Sequence, residues 1–362
     1  MPKIFEVFGR RLAVDSHQAD VCKRSSTCPF REARCDGGGN RYLSHVQLSG
    51  KPDLQRFFGR HTSVPSAVCS LQLQPAQSPW IVCPRRLLTF PPNPHQSNVI
   101  GFLIGQSGYP TGTRLGVWAE VKIGYKNAGK SFDYTFDYIL MPIANVSAYQ
   151  ASVLSDLGWP ELRTALAKGK YFVHTVEDQA TIQDFPIGPP LVVEIMTSST
   201  SGGDKKKRTA IPMAFEDAIL GRPHNAPGIN YRQVWARMVS QLIVKSEVGM
   251  AWGGKTFWIL QDVLIDYIST TTALDIRKFK SDHTSEVNIL GFSYGEEYNN
   301  SMDVIRLGNS VLYAGPVSVN PHNSKEPAFE DMIRAAVCPP LSVLISRLAN
   351  RPTVAKFHVN RY

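Results

Sequence analysis

The sequence predicts a mixed α/β fold: a central sheet flanked by helices, preceded by a small N-terminal module built around cysteines. Three observations lead there. Two runs, Phe132–Leu140 and Leu191–Met196, alternate apolar with polar or small residues at the period of two that marks strands. Tyr231–Ser246 carries the strongest helical pattern, with Val234, Trp235, Met238, Val239, Leu242 and Ile243 as an apolar stripe and Arg232, Arg237, Gln241 and Lys245 off it. Five of the six cysteines fall before residue 84, in a stretch whose few apolar periods predict a thin core.

The chain has 362 residues, 43% of them hydrophobic and 10% aromatic, which places it among globular proteins and apart from disordered ones. Lys and Arg number 39 against 30 Asp and Glu, a net charge of +9. Such a surplus favours a polyanionic partner, nucleic acid first and an anionic membrane surface second. No run of about eighteen apolar residues is present to span a bilayer. Met1–Val7 lacks the apolar stretch of a secretory leader, so a cytoplasmic location without disulfides is expected.

Taken in order, residues 4–90 read as short elements around Cys22, Cys28, Cys35, Cys69 and Cys83. A thin module in a reducing compartment is usually stapled by a metal, and thiolates prefer zinc or iron. The spacings Cys28-x6-Cys35 and Cys69-x13-Cys83 are looser than CxxC knuckles, and buried free cysteines acting as small hydrophobes stay open. Phe90-Pro91-Pro92-Asn93-Pro94 reads as a stiff linker, dividing a module at 1–90 from a main domain at 91–362.

Beyond the linker, Val99–Ile104 fits a buried strand or a short helix. Thr113–Ile123 fits a strand, returned by a hairpin through Asn127-Ala128-Gly129-Lys130. Residues 146–183 read as a helical insertion, and Pro186–Pro190 turns the chain into the Glu194 strand. The polar loop Thr197–Asp204 runs into Lys205-Lys206-Lys207-Arg208, four cations suited to phosphate. Lys255–Leu260, Val287–Phe292 and Val304–Leu307 read as strands, Asp262–Ile268 and Phe329–Leu348 as helices, and the tail beyond Pro352 as an edge or partner-contact element. There is no Walker A loop, dinucleotide fingerprint or serine nucleophile elbow. His174 and His224 have no identifiable catalytic partner.

The chemistry concentrates on carboxylates inside strands. Asp137 and Glu194 are costly to bury alone, and on neighbouring strands they would form a divalent cation site. Phosphodiester cleavage needs a nucleophilic water and stabilised charge on phosphorus, both of which carboxylate-held Mg²⁺ supplies. Nucleases of this kind pair an aspartate on one strand with Glu-x-Lys on the next, the Glu and Lys sharing a strand face. Here the lysine position holds Met196, which can neither donate a proton nor carry charge. Another cation must then serve, with Lys122, Lys245 or the Lys205–Arg208 cluster available. Glu120-Val121-Lys122 offers an E-x-K in the wrong chain order, which leaves Glu120 as an auxiliary acid or an ordinary surface residue.

With these residues in view, the chain resembles the NotI family of rare-cutting Type II restriction endonucleases, within the PD-(D/E)XK nuclease superfamily. The likeness starts at Glu6-Val7-Phe8-Gly9-Arg10-Arg11 and runs through Thr27-Cys28-Pro29-Phe30, Cys35, Val68-Cys69 and Trp80-Ile81-Val82-Cys83-Pro84-Arg85-Arg86-Leu87. Thr135-Phe136-Asp137-Tyr138 matches the family's aspartate strand, and Glu194-Ile195-Met196-Thr197 its Glu-Ile-Gln-Thr. Gln241-Leu242-Ile243-Val244-Lys245 resembles its Gln-x-x-x-Lys helix.

The resemblance implies a PD-(D/E)XK core that makes Mg²⁺-dependent double-strand cuts at a specific palindromic DNA site. Asp137 and Glu194 would bind Mg²⁺, Glu120 would assist, and Lys245 would stand in at the water next to the departure at Met196. Cys28, Cys35, Cys69 and Cys83 would hold one structural iron or zinc, with Cys22 and Cys338 outside the pattern. Double-stranded DNA, a second copy of the chain and a cognate DNA methyltransferase are the implied partners. The alternative is a DNA-binding protein on a degenerate nuclease fold that does not cleave, and Met196 is the residue that favours it.

Overall fold

The computed structural model describes residues 1–14, 17–37, 45–127, 130–177, 179–272, 275–295 and 303–314. The chain opens with β1 (Lys3–Val7) and β2 (Arg10–Arg11), a hairpin turned by Phe8 and Gly9 at φ of 50° and 73°. Two residues at positive φ give the turn whose twist matches that of the strands it joins. A Cβ on Gly9 would stand 2.6 Å from the Phe30 ring, so no larger residue fits.

There follow α1 (His17–Arg24), β3 (Thr27–Cys28), β4 (Ala33–Arg34), β5 (His45–Gln47), α2 (Pro52–Phe58), β6 (Ser63–Pro65), β7 (Val68–Gln72), β8 (Trp80–Ile81) and α3 (Pro84–Leu87). β1 and β7 form the centre of a small sheet ordered β2-β1-β7-β8, while β3–β4 and β5–β6 are separate hairpins. The core of this region is thicker than its sequence predicts, because it is not closed within the region. Phe8 and Phe58 pack on Phe215, with ring centroids 5.7 and 6.3 Å apart, and the same apolar cluster continues to Met196, Leu242 and Trp258.

Val99–Ile104, compatible with strand or helix in the sequence, lies within α4 (Ser97–Ser107). The long hairpin of β9 (Leu115–Asn127) and β10 (Lys130–Ser147) follows; residues 128 and 129 of its turn lie outside the described residues. Next come α5 (Ala148–Ser155), α6 (Trp159–Lys168), β11 (Val173–Val176), β12 (Gln179–Pro186) and β13 (Leu191–Ile195). The helical insertion is therefore half right. Only its first part is helical, and residues 173–186 are strands extending the sheet, with β12 paired to the end of β10. Most β11 side chains are exposed, so no apolar alternation marks it in the sequence.

The remainder is α7 (Ile211–Ile219), α8 (Tyr231–Ala251), β14 (Lys255–Gln261), α9 (Asp262–Thr271), β15 (Val287–Tyr294) and β16 (Leu307–Ala314). Val304–Leu307 is not a strand as expected. Val304 and Ile305 are buried in a loop, Val304 against Cys28 and Phe30, and the ladder starts only at Leu307. The helix expected at 329–348, Cys338 and the tail beyond Pro352 lie outside the described residues.

The principal sheet has eight strands among the described residues, ordered β11-β12-β10-β13-β14-β15-β16 with β9 also paired to β10. β13, β14 and β15 run parallel, and β10 and β16 are antiparallel to their neighbours. Both faces are covered, which is why the parallel strands are apolar throughout. Trp258, Leu260 and Ile289 share the cluster of α8 and α9, while Phe257, Ile259 and Leu290 share that of α4 and α3. The mixed α/β sheet flanked by helices is therefore present as expected.

Candidate active site and thiol cluster

The antiparallel pairing of β10 with β13 matches Tyr138 to Val193, Ile139 to Val192 and Leu140 to Leu191. One step further, the same register sets Asp137 opposite Glu194. The ladder ends there, and side chains take over its hydrogen bonds. The Ile195 N–H donates to Asp137 Oδ2 at 2.8 Å, and the Asp137 N–H donates to Glu194 Oε1 at 3.3 Å. Two carboxylates are thus fixed against each other by backbone donors at the end of a buried strand.

Burial, and then the neighbouring Asp137 charge, push the Glu194 carboxyl up to about 8, against the pull of Lys245. Burial also raises Asp137. Such crowding of acids is a functional-site signature, since structure alone rarely places two of them together in a low-dielectric setting.

The cation beside them comes from α8. Lys245 Nζ donates to Glu194 Oε2 at 2.5 Å and lies 5.6 Å from the centre of the Phe136 ring. Both charged residues are almost fully buried, Lys245 at 4% exposure and Glu194 at 1%. Met196, where the strand motif would carry a lysine, packs in the apolar core with Trp258 and Leu242. Its N–H continues toward β14, donating to the Ile259 carbonyl at 3.0 Å. An ammonium therefore reaches the Glu194 carboxylate by way of the helix instead of the strand.

Glu120 is opposite Asp137 on the other side of β10. The β9 pairing is regular through Phe136↔Val121 and Tyr138↔Ala119 but skips the rung between them, where Glu120 takes a φ of 51°. A residue without glycine's freedom in that conformation costs energy, and such strain clusters at functional sites. Glu120 Oε1 lies 3.5 Å from Arg85 Nη2, and the same guanidinium donates to Asp36 at 3.2 Å and to the Tyr138 hydroxyl at 3.3 Å. Lys122 is not at the site and pairs with Asp133 at 3.4 Å.

These groups open onto a cleft of about 710 Å³. Asp137, Glu120 and Lys245 sit on its wall with Gln233, Arg237 and Gln241, which recur every fourth residue along α8 and so share one helix face. The hydroxyl-rich segment Thr197–Thr200 forms another wall. No family model matches the chain, and neither does any curated protein. What the cleft does must come from its own atoms. His224 is away from it, accepting from the Ile4 N–H at 3.2 Å, and His174 is on β11.

The thiols come together from two hairpins. β3–β4 brings Cys28 and Cys35 close, and β7–β8 does the same for Cys69 and Cys83, whose backbones bond at 3.3 Å. The four sulfurs couple electrostatically, and Cys83 also lines the cleft. Burial pushes Cys28 up to about 11 and Cys35 to about 12. In the Cys69–Cys83 pair a mutual hydrogen bond raises Cys69 and lowers Cys83.

Backbone donors converge on these sulfurs, Gly9 N–H on Cys69 at 3.1 Å and Gly37 N–H on Cys35 at 3.3 Å. N–H donors of this kind stabilise thiolates, so the donor chemistry fits a thiolate-held metal. Among the described residues no three His, Cys, Asp or Glu side chains reach ligand spacing. Cys22 stands apart on α1.

A buried ion pair, which sequence reasoning missed, lies beside the thiol cluster. Arg86 Nε lies 3.1 Å from both oxygens of Glu6, and both residues are fully buried. Glu6 also accepts from Ser70 at 2.8 Å and Tyr294 at 2.6 Å, while Arg86 donates to the Ile305 carbonyl at 2.7 Å. Its partners lie 64 to 288 positions from Glu6, and no local pattern announces them.

Proposed function

We propose that this chain is a divalent-cation-dependent nuclease acting on duplex DNA, and within that class a Type II restriction endonuclease similar to the NotI family. The observation that carries the reading is the Asp137–Glu194–Lys245 constellation, with Asp137 and Lys245 lining a large cleft and Glu194 buried between them. Two carboxylates and a buried ammonium on adjoining elements are what metal-assisted phosphodiester hydrolysis requires.

The donor set fits Mg²⁺. Both acids resist ionising, Glu194 through burial and then the Asp137 charge, Asp137 through burial and to a lesser degree Glu120, and a dication would favour their ionised forms. Mg²⁺ is commonly held by one or two carboxylates, which the Asp137–Glu194 pair would supply, while keeping several waters. When bound there, Mg²⁺ supplies Lewis-acid charge and a water of lowered pKa.

The chain's own residues do the rest. Asp137 and Glu194 would hold the cation, their orientation set by the Ile195 and Asp137 N–H groups. Lys245 holds the attacking water and offsets charge developing on phosphate, the role Met196 cannot fill. Glu120 and Arg85 set the field at the edge of the acidic cluster. Cys28, Cys35, Cys69 and Cys83 would hold one structural iron or zinc that clamps the two N-terminal hairpins together. Cutting both strands of a palindromic site calls for a two-fold pair of chains, and a host survives such an enzyme through a partner methyltransferase.

Incubation with diverse large duplex DNA and Mg²⁺ tests the reading, with discrete fragments as the expected result. A second reading, a DNA-binding protein that does not cleave, is favoured by the burial of Met196 in the apolar core, which leaves no polar group two residues after Glu194. Intact binding with no fragments on any substrate would establish that alternative. Among the described residues no helix is long and apolar enough to cross a membrane.

A further inference from the structure

Of the four consecutive cations at 205–208, the structure withdraws one and displays three. Arg208, at a φ of 53°, turns back onto α7, where its Nε and Nη2 bind both oxygens of Asp217 at 2.8 and 2.9 Å. Lys205, Lys206 and Lys207 are exposed and make no ion pair among the described residues. Their turn is fixed. Asp204 Oδ1 accepts from the N–H groups of Lys206 and Lys207 at 2.8 and 3.2 Å, and Thr209 returns a hydrogen bond to Asp204 at 2.9 Å.

The neck of the loop is closed as tightly. A Cβ on Gly203 would lie 2.3 Å from the Ala210 Cα, a spacing only glycine permits. Ser201 bonds to the Gly228 carbonyl at 2.7 Å, and Thr200 pairs with Ile229. Thr200 and Ile211, just outside the two ends of the loop, both line the cleft that holds Asp137 and Lys245. Three ammonium groups with no ion pair among the described residues are thus carried on a braced loop whose two ends lead into the cleft lining.

We propose that Lys205–Lys207 form a rim clamp for the phosphate backbone of duplex nucleic acid entering the cleft, with Arg208 as the anchor that holds the clamp in place. The inference rests on the nucleic-acid reading of the cleft and adds the surface that grips the substrate without reading its sequence. Lysine suits this work because a compact charge on a flexible stem follows a backbone without demanding one geometry.

Salt dependence measures it. Each phosphate neutralised adds about 0.9 to the slope of log K against log salt, so three lysines carry about 2.7. The full chain is titrated in Mg²⁺-free buffer with a 30-base-pair duplex of random sequence, between 50 and 200 mM NaCl. The K205A/K206A/K207A variant should show a slope shallower by about 2.7, a loss of affinity over that range about 40-fold smaller than wild type suffers. The triple arginine variant should keep the wild-type slope. Coincident slopes for wild type and the alanine variant, with DNA binding intact, would overturn the clamp and leave the nuclease reading standing. Wild type that binds no duplex at all would overturn both. Lysine-dependent binding to phosphatidylserine vesicles in preference to DNA would assign the loop to a membrane surface and overturn the clamp as stated.

Discussion

Replacing Glu194 with glutamine should make the Mg²⁺-free protein more stable in mild alkali, and the structure says why. The Glu194 carboxyl is 1% exposed and sits against Asp137, which together raise it from the ordinary 4.5 to about 8. A raised carboxylate favours folding while protonated, so its contribution is complete below pH 4.5 and is lost as pH climbs to 8. At about 1.4 kcal/mol per pH unit over that window, the loss is of the order of 4 kcal/mol. Glutamine is isosteric with the protonated acid and keeps an oxygen for the Lys245 ammonium. Urea unfolding of wild type and Glu194→Gln at pH 5 and pH 8 should give near-equal stabilities at the lower pH and a several-kcal/mol advantage for the variant at the higher. Adding Mg²⁺ at a hundredfold over its dissociation constant should then restore about 2.7 kcal/mol to wild type alone. If Glu194→Gln is the less stable protein at pH 8, Lys245 holds Glu194 ionised as a net-favourable pair, and the account of two mutually crowded acids fails.

Three further outcomes follow from the geometry. Asp137→Asn should lower cleavage by about 10⁴-fold or more while a gel-shift assay shows unchanged duplex binding. Cys28→Ser or Cys83→Ser should abolish bound iron or zinc in elemental analysis and lower the melting temperature, whereas Cys22→Ser, outside the cluster, should change neither. Asp262→Asn should raise stability at pH 7.5 by about 3 kcal/mol, because burial, and then the Asp266 charge, push that carboxyl up to about 6 and its contribution is lost as pH rises through that value. At pH 3.5, below both values, denaturation curves of wild type and variant should coincide.

The parts of the site legible in the sequence were those governed by local period. β10, β13 and α8 each announce themselves, and a buried strand carrying a lone carboxylate is an anomaly visible by eye. The pairing of Asp137 with Glu194 followed from assuming those strands to be neighbours. The four cysteines were likewise visible as a set. Register was not legible, and it is register that places Glu120 at the skipped rung and lets Arg85 bridge Asp36, Glu120 and Tyr138. Lys245 could be named as one of several cations, but only the docking of α8 on the sheet selects it over Lys122. Val304 and Ile305 misled because apolar residues packed in a loop look like a buried strand. β11 misled in the opposite sense, being a strand with nothing to bury on one side.

The Glu6–Arg86 pair bears on how the chain comes to be made. Glu6 lies in the first strand, yet it is satisfied by Tyr294, and Arg10 and Arg11 beside it bind Asp303. At translation rates of about 5–20 residues per second, the first strand waits roughly 15–60 s for these partners to be synthesised. Until then a buried-to-be carboxylate and the guanidinium of Arg86 stay hydrated, and the sheet around β1 lacks the contacts that desolvate it. Contacts this distant in sequence are closed late and slowly. The N-terminal module that looks like an independent beginning is therefore completed, among the described residues, by contacts with some of the last to be synthesised.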